Sequence, residues 1–187
     1  MTTQEVVRSR PVSEAEFDRF FEECRQTAFR LETLQVYDVG YEEEAFRRFL
    51  AGGEVVATES QQEWAHLVSS GRRFRRVHVV TEPLTDYVRF ECVWAYRASV
   101  EAGEDVRVLP TAEGSWPEGI PRCDFWLFDS EHLVRMNYAP DHTMFLPELL
   151  LDPDEIVRAN AVHDRALHLA TPFTDYDRRF DAHMRPL

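Results

Sequence analysis

The chain has 187 residues, 44% of them hydrophobic, with 34 acidic residues against 21 basic ones and a net charge of -13. All 21 basic residues are arginine, which excludes Schiff-base, phosphate-loop and general-base lysine chemistry. The negative field disfavours direct nucleic-acid binding. The N-terminal segment has no apolar leader, and no run reaches the roughly 18 apolar residues of a membrane span, so a cytoplasmic protein is expected.

Ser13 and Glu16 have the spacing of a capping box and predict a helix whose apolar stripe is Phe17, Phe20, Phe21, Cys24 and Ala28. Phe29 to Val36 alternates as a strand. A helix is expected from Tyr41 to Ala51, stopped by Gly52-Gly53, and a loop over residues 53–59. Ser60 and Glu63 form a second box opening a helix with Trp64, Leu67 and Val68, closed by Gly71. Arg72 to Val80 reads as a buried strand with basic ends. Pro83 is placed at the first position of a long helix ending at Gly103. Asp105 to Leu109 predicts a strand parallel to the one before it, through a right-handed crossover. Residues 110–121 read as a loop. Asp124 to Phe128 and Leu133 to Tyr138 predict a hairpin, and Asp152-Pro153-Asp154-Glu155 opens a helix that stops near Pro172.

These elements give an α/β or α+β fold with a mixed sheet of about four to five strands layered by helices. The expected organisation is an N-terminal helix-strand-helix extension over residues 1–59, an α/β core over 60–172, and a tail or strap over 173–187.

Several segments carry a resemblance. Gly71-Arg72-Arg73, the Arg76 to Val80 strand, Glu82 to Glu91, Ala102 to Leu109 and Asp124 to Asp129 resemble an uncharacterised domain family common in actinobacteria, over roughly Phe17 to Pro172. The order of elements is also similar to half of a phospholipase-D-like domain. Placing that family's aspartate on Asp129 puts Arg122 where its histidine stands and Asp124 where its lysine stands. The resemblance therefore implies a non-catalytic copy.

No catalytic residue is assigned from the sequence. There is no G-x-S-x-G and no glycine-rich phosphate loop among 7 glycines. His163 and His168 are five apart on a helix, about 140° from facing each other, so no metal is expected there. Cys24, Cys92 and Cys123 are far apart in apolar stretches and suit neither disulfides nor zinc. The arginines Arg72, Arg73, Arg75 and Arg76 read mainly as salt-bridge partners of the surrounding acids; Arg75 and Arg76 face opposite sides of a strand, whereas Arg76 and His78 share one. Trp64, Tyr87, Trp94 and Trp126 suit either core packing or the wall of a cofactor slot, although no cofactor is assigned. Buried Asp124 needs a partner. The candidate binding constellation is thus Arg76, His78, Asp86, Arg89 and Asp124, with Tyr87 and Trp126 as aromatic lining.

The function expected on these grounds is a non-catalytic ligand- or protein-binding module of a bacterial regulatory system, partnered with a DNA-binding regulator. One alternative is a small hydrolase or transferase using carboxylates and Arg/His at strand ends. Another is an acidic, antitoxin-like protein that sequesters a basic partner. A small molecule or a basic protein is the expected partner, and a homodimer is compatible with the chain.

Overall fold

Two segments dictate the centre of the sheet. Strand β2 (Thr27–Glu32) and strand β3 (Arg73–Glu82) pair in parallel, and β3 pairs in parallel with β4 (Asp105–Ala112). Between β3 and β4 the chain climbs through α4 (Asp86–Glu91), a π turn (Cys92–Tyr96) and α5 (Arg97–Ala102). Gly103 closes this crossover at φ 107°, a left-handed cap that a side chain would strain. Between β2 and β3 run a 3-10 turn (Gly40–Glu42), α2 (Glu43–Leu50) and α3 (Glu59–Val68). The structure, a computed structural model, describes residues 8–180.

Antiparallel strands extend the other side of β2. They are β5 (Asp124–Phe128), β6 (His132–Tyr138), β7 (Met144–Leu150) and, at the edge, β1 (Ser9–Pro11); β8 (Thr171–Pro172) flanks β4. Among the described residues the mixed α/β sheet has eight strands, in the order β1-β7-β6-β5-β2-β3-β4-β8, which corrects the expected four to five. The added strands gave no periodic signal. β1 and β8 are 3 and 2 residues long and each contains a proline. β7 contains Pro147 beside a register shift opposite Arg135 to Asn137, an irregularity where the lost donor is tolerated. The segment before residue 59 thus supplies a central strand, β2, bonded on both sides.

Side chains alternate across the pleat and give the sheet two different faces. On one, Phe29, Leu31, Val77, Val79, Phe125 and Leu127 pack beneath α6 (Pro153–Leu169) through Ala159 and Ala166. Each large apolar group buried there contributes about 1.5–3 kcal/mol. On the other face, α1 (Glu14–Glu23) lays Phe17, Phe20 and Phe21 over Phe128, Trp126 and Val134, alongside Trp64 and Val68 of α3. Near β4, the helix α7 (Phe173–Phe180) buries Phe173 and Tyr176 against Val88, Cys92, Tyr96 and Val108.

Helix starts differ locally from the sequence reading. Ser13 caps α1 as expected, its Oγ accepting from the Glu16 N–H at 3.3 Å, but the Glu16 carboxylate goes to Arg10 instead of closing the box. The reciprocal box at α3 is made by Thr58 and Gln61, not by Ser60 and Glu63. Pro83 is not the first helical residue: β3 runs to Glu82 and Thr85 caps α4, its Oγ1 accepting from the Val88 N–H at 3.2 Å. No described helix is long and apolar enough to cross a membrane.

Candidate functional site

The register places a row of charged groups on the face opposite α6. Arg30 stands beside Arg76 on one side and Trp126 on the other, and Glu32 stands beside His78. The helices that cover this face leave a cavity of about 490 Å³ above the row. Its floor is Arg30, Glu32 and Arg76, and its walls include Tyr37, Trp64, Tyr87, Trp94, Trp126 and Tyr138. That volume lies within the usual range for small-molecule pockets. Its mouth is marked by the exposed Tyr41 and Met144. There the turn before α2 meets the β6–β7 connection, with the Asp38 N–H donating to the His142 carbonyl and Thr143 Oγ1 donating to Asp38.

The floor is a chain of ion pairs. Glu32, 1% exposed, accepts from Arg76 Nη1 at 3.1 and 3.2 Å and lies 2.9 Å from Arg30 Nη2. Arg76 Nε donates to Glu104 at 2.9 Å, and Glu104 also accepts from the Trp64 indole at 2.9 Å. Burial alone would raise the Glu32 pKa, but the charges of Arg30 and Arg76 outweigh it and hold the carboxylate at about 2. Both arginines stay charged: burial opposes the charge of each, and the carboxylates beside them more than compensate. Arg30 also lies 5.5 Å from the Trp126 ring centre and 5.9 Å from that of Tyr37. Arg76 lies 5.8 Å from Trp64 and 5.5 Å from Tyr96.

Behind the floor, His78 is fully buried. Its Nε2 lies 2.7 Å from the Leu34 carbonyl, which can only accept, so that nitrogen carries the proton. Nδ1 then accepts from the Tyr96 hydroxyl at 2.7 Å. Burial lowers the His78 pKa, which keeps the ring neutral. Asp124 accepts from the Thr33 N–H, the Thr33 hydroxyl and the Tyr37 hydroxyl, each at 2.7 Å. It thereby fixes both the end of β2 and one aromatic wall.

Glu91 differs from the other acids. It reaches the cavity from the last turn of α4, and its nearest basic group is His78 Nδ1, 3.6 Å from Oε2. Oε2 is buried and has no hydrogen-bond partner. Burial pushes its pKa well up, and the charges of Glu32 and Glu42 push it further, which favours the protonated acid. Glu42, also raised by burial, accepts from the Tyr87 hydroxyl. Trp94 is held by stacking on Phe90 at 4.9 Å and by its indole N–H on the Val56 carbonyl.

Arg76, Tyr87 and Trp126 therefore line the cavity, while His78 and Asp124 lie in the buried polar layer next to it. Asp86 and Arg89 do not line it; they pair with each other at 3.2 Å. The sequence reading missed Arg30, Glu32 and Glu91. Alternation of Arg30 and Glu32 with Phe29 and Leu31 reads as a solvent face, and only coverage by distant helices turns it into a floor. The three thiols are raised by burial and are poor nucleophiles. Among the described residues no cluster of three or more His, Cys, Asp or Glu side chains is placed to hold a metal ion.

The chain belongs to a family described as a domain of unknown function (DUF6879), whose model matches residues 15–178. No curated protein matches it.

Proposed function

We propose that this protein is a non-catalytic small-molecule-binding module whose occupancy is read by a partner in a bacterial regulatory system. The observation that carries this reading is the cavity, with a pre-paired ionic floor, rigid aromatic walls and Glu91 left without a hydrogen-bond partner. Side chains already fixed by neighbours lose little entropy when a ligand arrives. Glu32 and Arg76 are engaged with each other, which favours a recognition surface over an acid–base pair.

The phospholipase-D-like relationship enters this proposal as a degenerate half domain. Asp129, the residue aligned with that family's aspartate, accepts from the backbone N–H groups of Arg25, Gln26 and Thr27 at 2.7–2.9 Å. That is the role of a turn-forming residue and supports the non-catalytic reading. The net charge of -13 favours regulation through a protein partner over direct DNA contact.

Native mass spectrometry of gently purified protein tests the binding reading. The expected result is an added small mass that leaves on denaturation and is missing from Ala98→Trp, a substitution that fills the cavity from α5. Identical adduct in both proteins would place the ligand elsewhere. A bare mass for the wild type, with no gain after incubation in a small-molecule cell extract, would overturn the reading.

A further inference from the structure

The aromatic faces of the cavity already carry two cations. The guanidinium of Arg30 lies over Tyr37 and Trp126, and that of Arg76 over Trp64 and Tyr96. Their compensation is unequal. Arg76 has two carboxylates, Glu32 and Glu104, whereas Arg30 has only a share of Glu32. Arg30 is also the more accessible of the two, its side chain 21% exposed against 10% for Arg76. A guanidinium has five N–H donors, and the Arg30 Nε has no partner. The floor's two carboxylates balance its two arginines in number, and Arg30 is the more loosely paired guanidinium.

Among the described residues, the acid within 4 Å of Arg30 is Glu32. Burial pushes both Glu91 and Glu42 towards the protonated acid, and Glu42 accepts from the Tyr87 hydroxyl. Asp38 and His142 sit at the mouth, where Asp38 is bonded to the 142–144 connection. A cationic ligand would meet two arginines and an acid that burial pushes towards its protonated form. An anion would gain a charge-assisted bond to Arg30, unopposed by Glu91 in that form. One loosely paired arginine matches a single carboxylate and not a phosphate dianion. The walls are flat rings, with Trp94, Tyr87 and Tyr138 among the aromatic side chains that no arginine already covers.

We infer that the cavity takes a flat aromatic carboxylate, its carboxylate on Arg30, its ring against Trp94 and Tyr138, and any polar ring edge on Glu91. This inference rests on the small-molecule-binding reading and narrows it to one ligand class.

Isothermal titration of the full chain with three near-isosteric probes tests it: 2-naphthoate, 2-naphthamide and 2-naphthylmethylamine. The expected order is the carboxylate first, the amide at least about tenfold weaker, and the amine without measurable binding. Arg30→Met removes the preference for carboxylate over amide. Should that variant fail to fold, Arg30→Lys keeps the charge and retains the order of the probes at lower affinity. Amide or amine binding as tightly as the carboxylate overturns the inference, as does no carboxylate binding at millimolar concentration. If a neutral or cationic ligand is released by the wild type and not by Ala98→Trp, the ligand class falls while the binding module stands. If no probe binds and no adduct is found, both fall.

Discussion

Under α6 the central strands present Phe29, Leu31, Val77, Val79 and Leu127, whereas one residue along each strand the opposite face presents Arg30, Glu32, Arg76, His78 and Trp126. The first face is dry and closed by Ala159 and Ala166, small residues that let α6 approach. The second is covered by several short helices and retains a cavity. Buried ion pairs stabilise little once desolvation is counted, so the apolar face holds the fold and the polar face is tolerated because its charges are paired. A row of paired charges under an incomplete roof is where this protein keeps capacity to bind.

The sharpest way to break the comparison is to remove one residue from each face. Phe29→Ala, on the dry face, is expected to cost about 3–5 kcal/mol in denaturant unfolding at every pH. Glu32→Gln, on the polar face, leaves Arg30 without its carboxylate and Arg76 with Glu104 alone, and is expected to cost about 3–5 kcal/mol near neutrality. Only the second loss depends on acid. The Glu32 carboxylate sits at about 2 when folded against an ordinary 4.5, so its contribution is present above 4.5 and disappears as the pH falls towards 2. The two proteins should converge in that window. A Glu32→Gln deficit that persists unchanged to pH 2 would contradict the ionic floor.

A smaller effect separates the two possible starts of α3. Thr58→Ala is expected to cost about 1 kcal/mol, because its hydroxyl and the Gln61 side chain cap each other. Ser60→Ala, two residues on, should stay within about 0.5 kcal/mol of wild type. The reverse ranking in thermal melts would restore Ser60 as the cap.

The smallest effect in acid belongs to Glu91→Gln, which keeps the shape of the protonated acid and should fall within about 0.5 kcal/mol of wild type below the ordinary 4.5. Its difference grows with pH. Burial, with Glu32 and Glu42, raises the folded pKa above the unfolded one, so the wild type loses stability as the pH rises from the ordinary 4.5 up to that raised value. The glutamine variant has no such loss and should become the more stable protein in alkali. Parallel pH profiles would mean that Glu91 is charged in the folded state.

Much of the frame was legible in the sequence because it rests on local signals. The stripe of Phe17, Phe20 and Phe21 gave α1, and Asp152-Pro153 gave α6; the alternation around Trp126 gave the β5–β6 hairpin. The edge strands β1 and β8 were hidden by Pro11 and Pro172 and by their short length, and β7 by Pro147. For the site, Arg76, Tyr87 and Trp126 could be chosen from strand and helix spacing. Asp86 and Arg89 could not be rejected in the same way, because their spacing fits a pair wherever the helix turns. Arg30 and Glu32 were invisible as a floor: their burial depends on α3 and α4, 30 to 60 residues away in sequence.

Four tryptophans offer an internal control for the central claim. Trp64, Trp94 and Trp126 line the cavity, while Trp116 donates its indole N–H to the Ile120 carbonyl outside it. The most direct measurement is the 15N–1H spectrum of the indole groups, recorded while a deproteinised bacterial small-molecule extract is titrated into the full chain. The predicted result is movement of the three cavity indoles with Trp116 unmoved, and no movement in Ala98→Trp. A spectrum in which Trp116 moves alone, or in which all four stay fixed, would contradict a ligand-binding cavity on the polar face of the sheet.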